Sequence, residues 1–510
     1  MRRRVRLAAA LLGAVLLLSG CWQAPPAEQQ EGLTPMESIG EIPEEPPRTI
    51  LPKTFSLPYA PDQSLDPLTC PDGMQWTICS LLYEGLFRLT PSLEVQAQLC
   101  SQWSCSPDAL VHTFTLRPGV AFSDGTPLTA ADVKATLDRA RTSERYRARL
   151  AHVVSVQAGD GAVTVTLNAP NTALAALLDI PIIKQGTERT AVPTGTGPYL
   201  FSDTAEGALL VSNQSWWQGS GQPVDRIALA EAADRDTMLY RFTSHDVQLI
   251  TADLTGTSPI TATGNTGYQD TDTTILHYLG MNTAREPLNN TAFRKALNMG
   301  FNRSYVVSAF LSGHGTAAQF PVSPVSPLYP ADLAQPYSSD GFTAALAASG
   351  YVPSRTLELL VNNENSFKTS VADYLAKTFT AAGVPMEVRV LPWAEYSAAL
   401  ASGSFDLYYG EVRLTADWDL TALLGTGGSL NYGGWSNVQT DLLLSALATS
   451  QDRTAAMRSL CSHLLTAAPI LPVCFKSTSV LMQTNVLEGL VSTAGAPFYG
   501  LTDCIIYLRT

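Results

Sequence analysis

Thr113-Phe-Thr-Leu-Arg117-Pro-Gly119-Val-Ala-Phe122-Ser-Asp124-Gly125-Thr-Pro127-Leu-Thr129-Ala130-Ala-Asp132-Val133 is the most densely patterned stretch of the chain. Residues His112–Leu116 alternate apolar and polar side chains and read as a strand. Pro118-Gly119 and Asp124-Gly125 are turn dipeptides. Thr129 followed three residues later by Asp132 is a capping signal and predicts a helix over Ala130–Ala140. The product is a strand, a turn, a short segment, a second turn and a capped helix. These residues shape backbone and carry no reactive group.

Outward from this window, strand and helix signals alternate. Thr49–Leu57 reads as a strand ending at Pro58. Gln75–Phe87 reads as a helix, with Trp76, Cys79, Leu82 and Tyr83 at helical spacing. Val153–Gln157 and Ala162–Asn168 form a hairpin around Gly159-Asp160-Gly161. Thr194–Pro198 is a Gly-rich loop. Ala284–Ala309 is expected to be helical after a turn at Pro287-Leu-Asn-Asn. Strand Thr356–Val361, helix Thr369–Ala382, strand Met386–Leu391 and helix Tyr396–Ala401 make a β-α-β-α series, which favours an α/β fold with a mixed or parallel sheet. Asp441–Ala448 and Thr454–Ala467 read as late helices. No fixed-period repeat is visible.

The chain begins with Arg2, Arg3, Arg4 and Arg6, followed by an apolar run from Leu7 to Leu18 that is too short to span a bilayer, for which roughly 20 residues are needed. Leu18-Ser19-Gly20-Cys21 closes it and resembles the bacterial lipobox. That resemblance implies a signal peptide over 1–20, cleavage before Cys21 and diacylglyceryl transfer to its sulfur. Two acyl chains suffice for stable anchoring. The expected location is therefore extracytoplasmic, lipid-anchored to the cell membrane. Residues 21–47 are rich in proline and glutamate, cannot offset their conformational entropy by burial, and read as an extended tether.

The formal net charge is −13, and loss of the four signal arginines takes it to −17. Such an acidic body argues against nucleic acid as a partner. A hydrophobic content of 45 % is enough for a large core. Besides Cys21 there are Cys70, Cys79, Cys100, Cys105, Cys461, Cys474 and Cys504. The number is odd and the spacings are not those of zinc ligands, so structural or disulfide roles are expected, with pairing undetermined.

The 103–139 region, from Trp103 through the quoted window, resembles the signature of the family 5 extracellular solute-binding proteins, the peptide/nickel receptors of ABC importers. Further matches follow in the family's order: Leu65-Asp66-Pro67, Leu82-Tyr83-Glu84-Gly85-Leu86, Gly195-Thr-Gly-Pro-Tyr199, Tyr278-Leu-Gly-Met-Asn282, Phe293-Arg-Lys-Ala-Leu297, Ala347-Ala-Ser-Gly-Tyr351, Phe405-Asp-Leu407 and Ala468-Pro469. The resemblance implies a two-lobed periplasmic-binding-protein-like fold of class C. Lobe I is expected to be discontinuous (48–70, 189–275 and 478–510) with an extra domain over 71–188, and lobe II to cover 276–477. Ligand binds between the lobes, which close by hinge motion.

In peptide-binding members of this family an Asp pairs with the ligand's α-amino group, and Ala416-Asp417 matches that position. Asp417 is accordingly a ligand candidate, weighed against a capping role near Thr421–Leu424 that Asp419 can equally supply. Arg413 is a candidate for a peptide carboxylate, weighed against an ion pair with Glu411. Trp393 matches a tryptophan lining side-chain pockets in oligopeptide receptors. Tyr59 and Trp435 are plausible cleft aromatics, and Trp216-Trp217 are expected to pack against the sheet. The Asn362-Asn-Glu-Asn-Ser-Phe367 segment lacks the arginine that dipeptide receptors carry there.

Enzyme motifs are absent: there is no Gly-x-Ser-x-Gly, His-Glu-x-x-His or P-loop, and the six histidines are dispersed. The expected function is a monomeric substrate receptor of an ABC importer, without cofactor or metal, that captures oligopeptides and hands them to a permease and ATPase complex. A receptor for a nickel chelate, opine or other non-peptide solute, and a surface sensor or adhesin, are the alternatives.

Overall fold

A computed structural model describes residues 51–258, 260 and 266–509. The signal segment, the tether and Cys21 lie outside these described residues. The fold is a two-lobed α/β structure of the periplasmic-binding-protein type.

Its backbone is a seven-stranded mixed sheet in the order Leu249–Ala252, Ile470–Gln483, Thr266–Met281, Leu407–Arg413, Leu357–Asn362, Met386–Leu391, with Gly315–Ala317 paired to the second of these. Thr266–Met281 and Ile470–Gln483 run antiparallel from the Thr266–Gln483 pair to the Gly280–Ile470 pair, with a register break between Asp272 and Leu276. Leu357–Asn362 pairs in parallel with both neighbours, as the β-α-β-α pattern requires. Helices Ser366–Ala381 and Trp393–Ser402 make the crossovers. Two four-stranded sheets build the other lobe. One pairs Ser56–Tyr59 with Arg226–Glu231, Gly207–Ser212 and Tyr199–Thr204; the other is antiparallel, in the order Cys100–Cys105, Val111–Leu116, Ala162–Leu167, Val153–Ala158.

The Thr113–Val133 stretch folds as its residues dictate. Val111–Leu116 is a strand and Ala130–Ala140 a helix. Asp132 Oδ2 accepts the Thr129 N–H at 2.9 Å and the Thr129 hydroxyl at 2.5 Å. Its Oδ1 accepts the Gln185 N–H at 2.9 Å, so one carboxylate both caps the helix and pins a distant loop.

Three expectations are corrected. The first strand is Ser56–Tyr59 and runs through Pro58. It lies at the edge of its sheet, and the Ser56 N–H donates outward to Gln248, so Pro58 two residues on forgoes no ladder bond. The first helix spans Met74–Leu82 rather than reaching Phe87, because Tyr83 turns extended and Glu84 drops into the interior. The 284–309 segment is two helices, Thr291–Met299 and Arg303–Phe310. At Gly300 a Cβ would lie 2.6 Å from the Phe379 ring, and Asn302 restarts the helix by accepting the Tyr305 N–H at 3.1 Å.

Glu84 joins the separate segments of this lobe. The residue is 3 % exposed. Oε1 accepts from Trp216 Nε1, Gln98 Nε2 and Gln218 Nε2, each at 3.2 Å. Oε2 accepts from Trp217 Nε1 and the Thr196 hydroxyl, both at 2.8 Å. Burial pushes its pKa up, against the pull of these donors. Gly195 and Gly197 press on the same chain: a Cβ on Gly195 would lie 2.2 Å from the Leu82 oxygen, and one on Gly197 2.4 Å from the Leu81 oxygen. Replacing Glu84 by leucine strands several buried donors, each costing about 1–3 kcal/mol, and a net loss of at least about 3 kcal/mol is expected in urea denaturation. Glu84→Gln, which keeps one accepting oxygen, should lose less.

Candidate functional site

Two cavities lie along the seven-stranded sheet. The larger, about 850 Å³, is walled on one side by Trp76, Arg145, Arg149 and Tyr499 and on the other by Asp272–Ile275 and Arg413–Ala416. The smaller, about 430 Å³, is lined by Asp253, Asn362, Glu364, Lys368, Trp393, Glu411 and Lys476, among others. Asp253 faces both.

Charges in the larger cavity are mostly paired. Arg145 binds Asp72 at 2.7 Å and lies 4.8 Å over the Trp76 ring, Arg149 pairs with Asp179, and Arg88 stacks 4.2 Å over Tyr499. Two groups stand apart. Arg413, at the end of its strand, has no acidic partner among the described residues. Among the described residues Asp272 receives only the Thr316 hydroxyl, at 3.3 Å; burial, with Asp270 nearby, pushes its pKa up.

Behind the smaller cavity the charges are dense. Lys476, 4 % exposed, binds Asp253 at 2.5 Å. Glu411 is approached by Lys476 at 3.7 Å, Lys368 at 3.7 Å and His277 Nε2 at 3.6 Å. Burial pushes the Glu411 carboxyl up, but His277 and the two ammoniums outweigh it and hold its pKa below the usual value. Burial lowers the Lys368 pKa as well.

The sequence-derived candidates divide. Arg413 lines the larger cavity and Trp393 the smaller. Trp393 is 58 % exposed, donates its backbone N–H to Glu364 at 2.6 Å and stacks on Tyr396. Asp417, Asp419, Tyr59 and Trp435 line neither cavity. Asp417 is 4 % exposed, and its carboxylate accepts from Asn171 Nδ2 at 2.7 Å, the Thr415 hydroxyl at 2.5 Å and the Asp419 N–H at 3.3 Å. Asn171 belongs to the other lobe, where the adjoining Thr172 N–H reaches the Ala448 oxygen at 2.9 Å. Asp419 accepts the Thr421 N–H at 2.9 Å from one residue before Leu420, the N-cap of the Thr421–Leu424 helix. Tyr59 packs in the core against Phe201. Trp435 lies under the Arg294 guanidinium and donates to Thr440. The seven described cysteines are free thiols, six of them buried.

Lys368, Lys476, Asp253 and Asp272 escaped the sequence reading, and two had a signal. Lys368 begins the buried stripe Lys368, Val371, Ala372, Leu375, Ala376, Phe379 of its helix. Lys476 ends the unbroken apolar run from Ile470 to Phe475. A lysine in either place needs a partner or a ligand.

The model of the bacterial extracellular solute-binding proteins, family 5, matches residues 94–432. The chain belongs to this family. Its members are solute-binding receptors rather than enzymes, and this one is the substrate-binding component of an ABC importer. Among curated relatives, the glutathione-binding protein GsiB of Salmonella typhimurium is 25 % identical over 417 residues, covering 76 % of this chain and 81 % of that one. Among solved structures, the unliganded open form of MppA, a periplasmic murein tripeptide-binding protein, superimposes with a TM-score of 0.75 at 20 % identity, covering 90 % of this chain and 99 % of that one. A nickel ABC transporter protein from Bacillus halodurans gives 0.74 at 19 %, with coverage of 90 % and 99 %. No helix among the described residues is long and apolar enough to cross a membrane.

Burial lowers the His277 pKa to about 4. Between pH 6.5 and 4 the unfolded chain binds a proton at this imidazole and the folded chain does not, so acid works against the fold across that window. His277→Gln is expected to flatten the fall in stability over that range, as read by denaturation at a series of pH values.

Proposed function

We propose that this chain is a lipid-anchored receptor that captures short peptides between its lobes and presents them to a membrane permease. The observation that carries the reading is Arg413, a guanidinium facing the larger cavity without an acidic partner among the described residues. Its planar fork suits a carboxylate, which every free peptide carries at one end. Asp272, a partly buried carboxylate on the same wall of that cavity with one hydroxyl donor among the described residues, suits the ligand's ammonium. Closure of the lobes excludes water and strengthens both contacts. The glutathione-binding relatives support a solute of peptide size and charge. Asp417 is assigned to bridging the lobes through Asn171, so an ammonium reaches it only after that bond opens. The anchor rests on Leu18-Ser-Gly-Cys21.

Arg413→Ala is expected to weaken binding of trialanine by about 2–5 kcal/mol in calorimetric titration, with Arg413→Lys intermediate. Unchanged affinity in a folded Arg413→Ala protein contradicts the assignment. Cys21→Ser should abolish incorporation of labelled fatty acid and release the protein from the membrane fraction.

A further inference from the structure

The two lobes also meet outside their shared ribbon. From one lobe comes the segment that follows strand Ala162–Leu167. Asn171 is set for the contact by its own surroundings. Its N–H donates to the Ala109 oxygen at 3.1 Å and its Oδ1 accepts the Ala173 N–H at 2.8 Å, which leaves Nδ2 to donate to Asp417 at 2.7 Å. Thr172 donates its N–H to the Ala448 oxygen at 2.9 Å and its hydroxyl to the Ser450 oxygen at 3.0 Å. These carbonyls lie at the end of helix Val438–Thr449, where the last turn has no partners within the helix. Arg453 assembles this receiving surface, donating from Nη1 to the Leu447 oxygen at 3.0 Å and from Nη2 to the Asp417 backbone oxygen. A second finger of the first lobe is the turn at 90–94. It sets Leu93 against the apolar cluster of the other lobe that contains Leu414, Trp418 and Leu447.

Backbone strain gathers at the same place. Seven non-glycine residues among those described have a left-handed backbone, and Leu93 (φ 59°), Ala109 (φ 55°) and Trp418 (φ 56°) are three of them. Such residues persist where the surroundings over-determine them. A turn that needs this conformation is ordinarily served by glycine or asparagine. Leucine at 93 gives up that advantage for an apolar contact made in the other lobe. We propose that Leu93 and the Asn171-Thr172 pair form a latch that holds the lobes together over the larger cavity before any solute is bound. The inference stands apart from the identity of the solute, because every bond in the latch joins protein groups. Each bond is exchanged for water when the lobes part, so its net worth is small. A handful of them bias the lobes toward contact and still let them open. Solute enters only when the latch is open, so capture is slowed in proportion to the latched population.

The test is small-angle X-ray scattering of the protein cleared of bound solute by dialysis into denaturant and back. Wild type is compared with Leu93→Asn, Asn171→Ala and the double variant, each checked for folding by circular dichroism. Each single variant is expected to have a larger radius of gyration than wild type, and the double variant a larger one still. Asparagine suits the left-handed backbone, so Leu93→Asn keeps its fold and carries the test if Asn171→Ala does not. A double variant with the wild-type radius overturns the latch, whether both are compact or both expanded; if Asn171→Ala fails to fold, a wild-type radius in Leu93→Asn does so. Amide hydrogen exchange reads the contact itself. The Thr172 N–H is expected to exchange several-fold faster in Leu93→Asn than in wild type, although Leu93 is not its hydrogen-bond partner. Equal exchange rates overturn the latch as well.

Discussion

The antiparallel pairing of Thr266–Met281 with Ile470–Gln483 is the constraint on which the rest of the molecule depends. One end of this ribbon is completed by Leu249–Ala252 and the other by Leu407–Arg413, so a single ladder serves both lobes. This two-stranded ribbon, shifted in register between Asp272 and Leu276, runs through both lobes and joins them. The register break between Asp272 and Leu276 falls beside the larger cavity. Ladders are weakest and most easily bent at such irregularities. The larger cavity thus lies beside one of the two register shifts in this ladder, the other falling between His277 and Tyr278.

The same strands deliver the charges. His277 comes from one long strand, Lys476 from the other and Glu411 from their neighbour, which concentrates ionisable groups on one side of the sheet. Burying them costs free energy that their mutual attraction offsets only in part. The Glu84 hub, in contrast, has every oxygen engaged by protein donors and does structural work alone.

The parts of the fold legible in sequence were those decided locally. Thr129 and Asp132 cap a helix through bonds three residues apart, and the β-α-β-α period survives in the parallel strands Leu357–Asn362 and Met386–Leu391. The misreadings arose where tertiary contacts override local preference: Glu84 leaves its helix for a buried network, and Gly300 yields to two phenylalanine rings. The site divides in the same way. Arg413 and Trp393 line the cavities, whereas Asp417 meets Asn171 from 246 residues away, a partner no local pattern reveals. Lys368 and Lys476 were readable in principle as cations set into apolar stripes, but their convergence on Glu411 requires the folded sheet.

The central claim is that the cleft captures a peptide. The most direct test is native mass spectrometry of the protein purified without refolding, followed by denaturation and identification of what is released. The account predicts peptides or peptide-like acids at one per chain. A single non-peptide solute or a nickel adduct would contradict it.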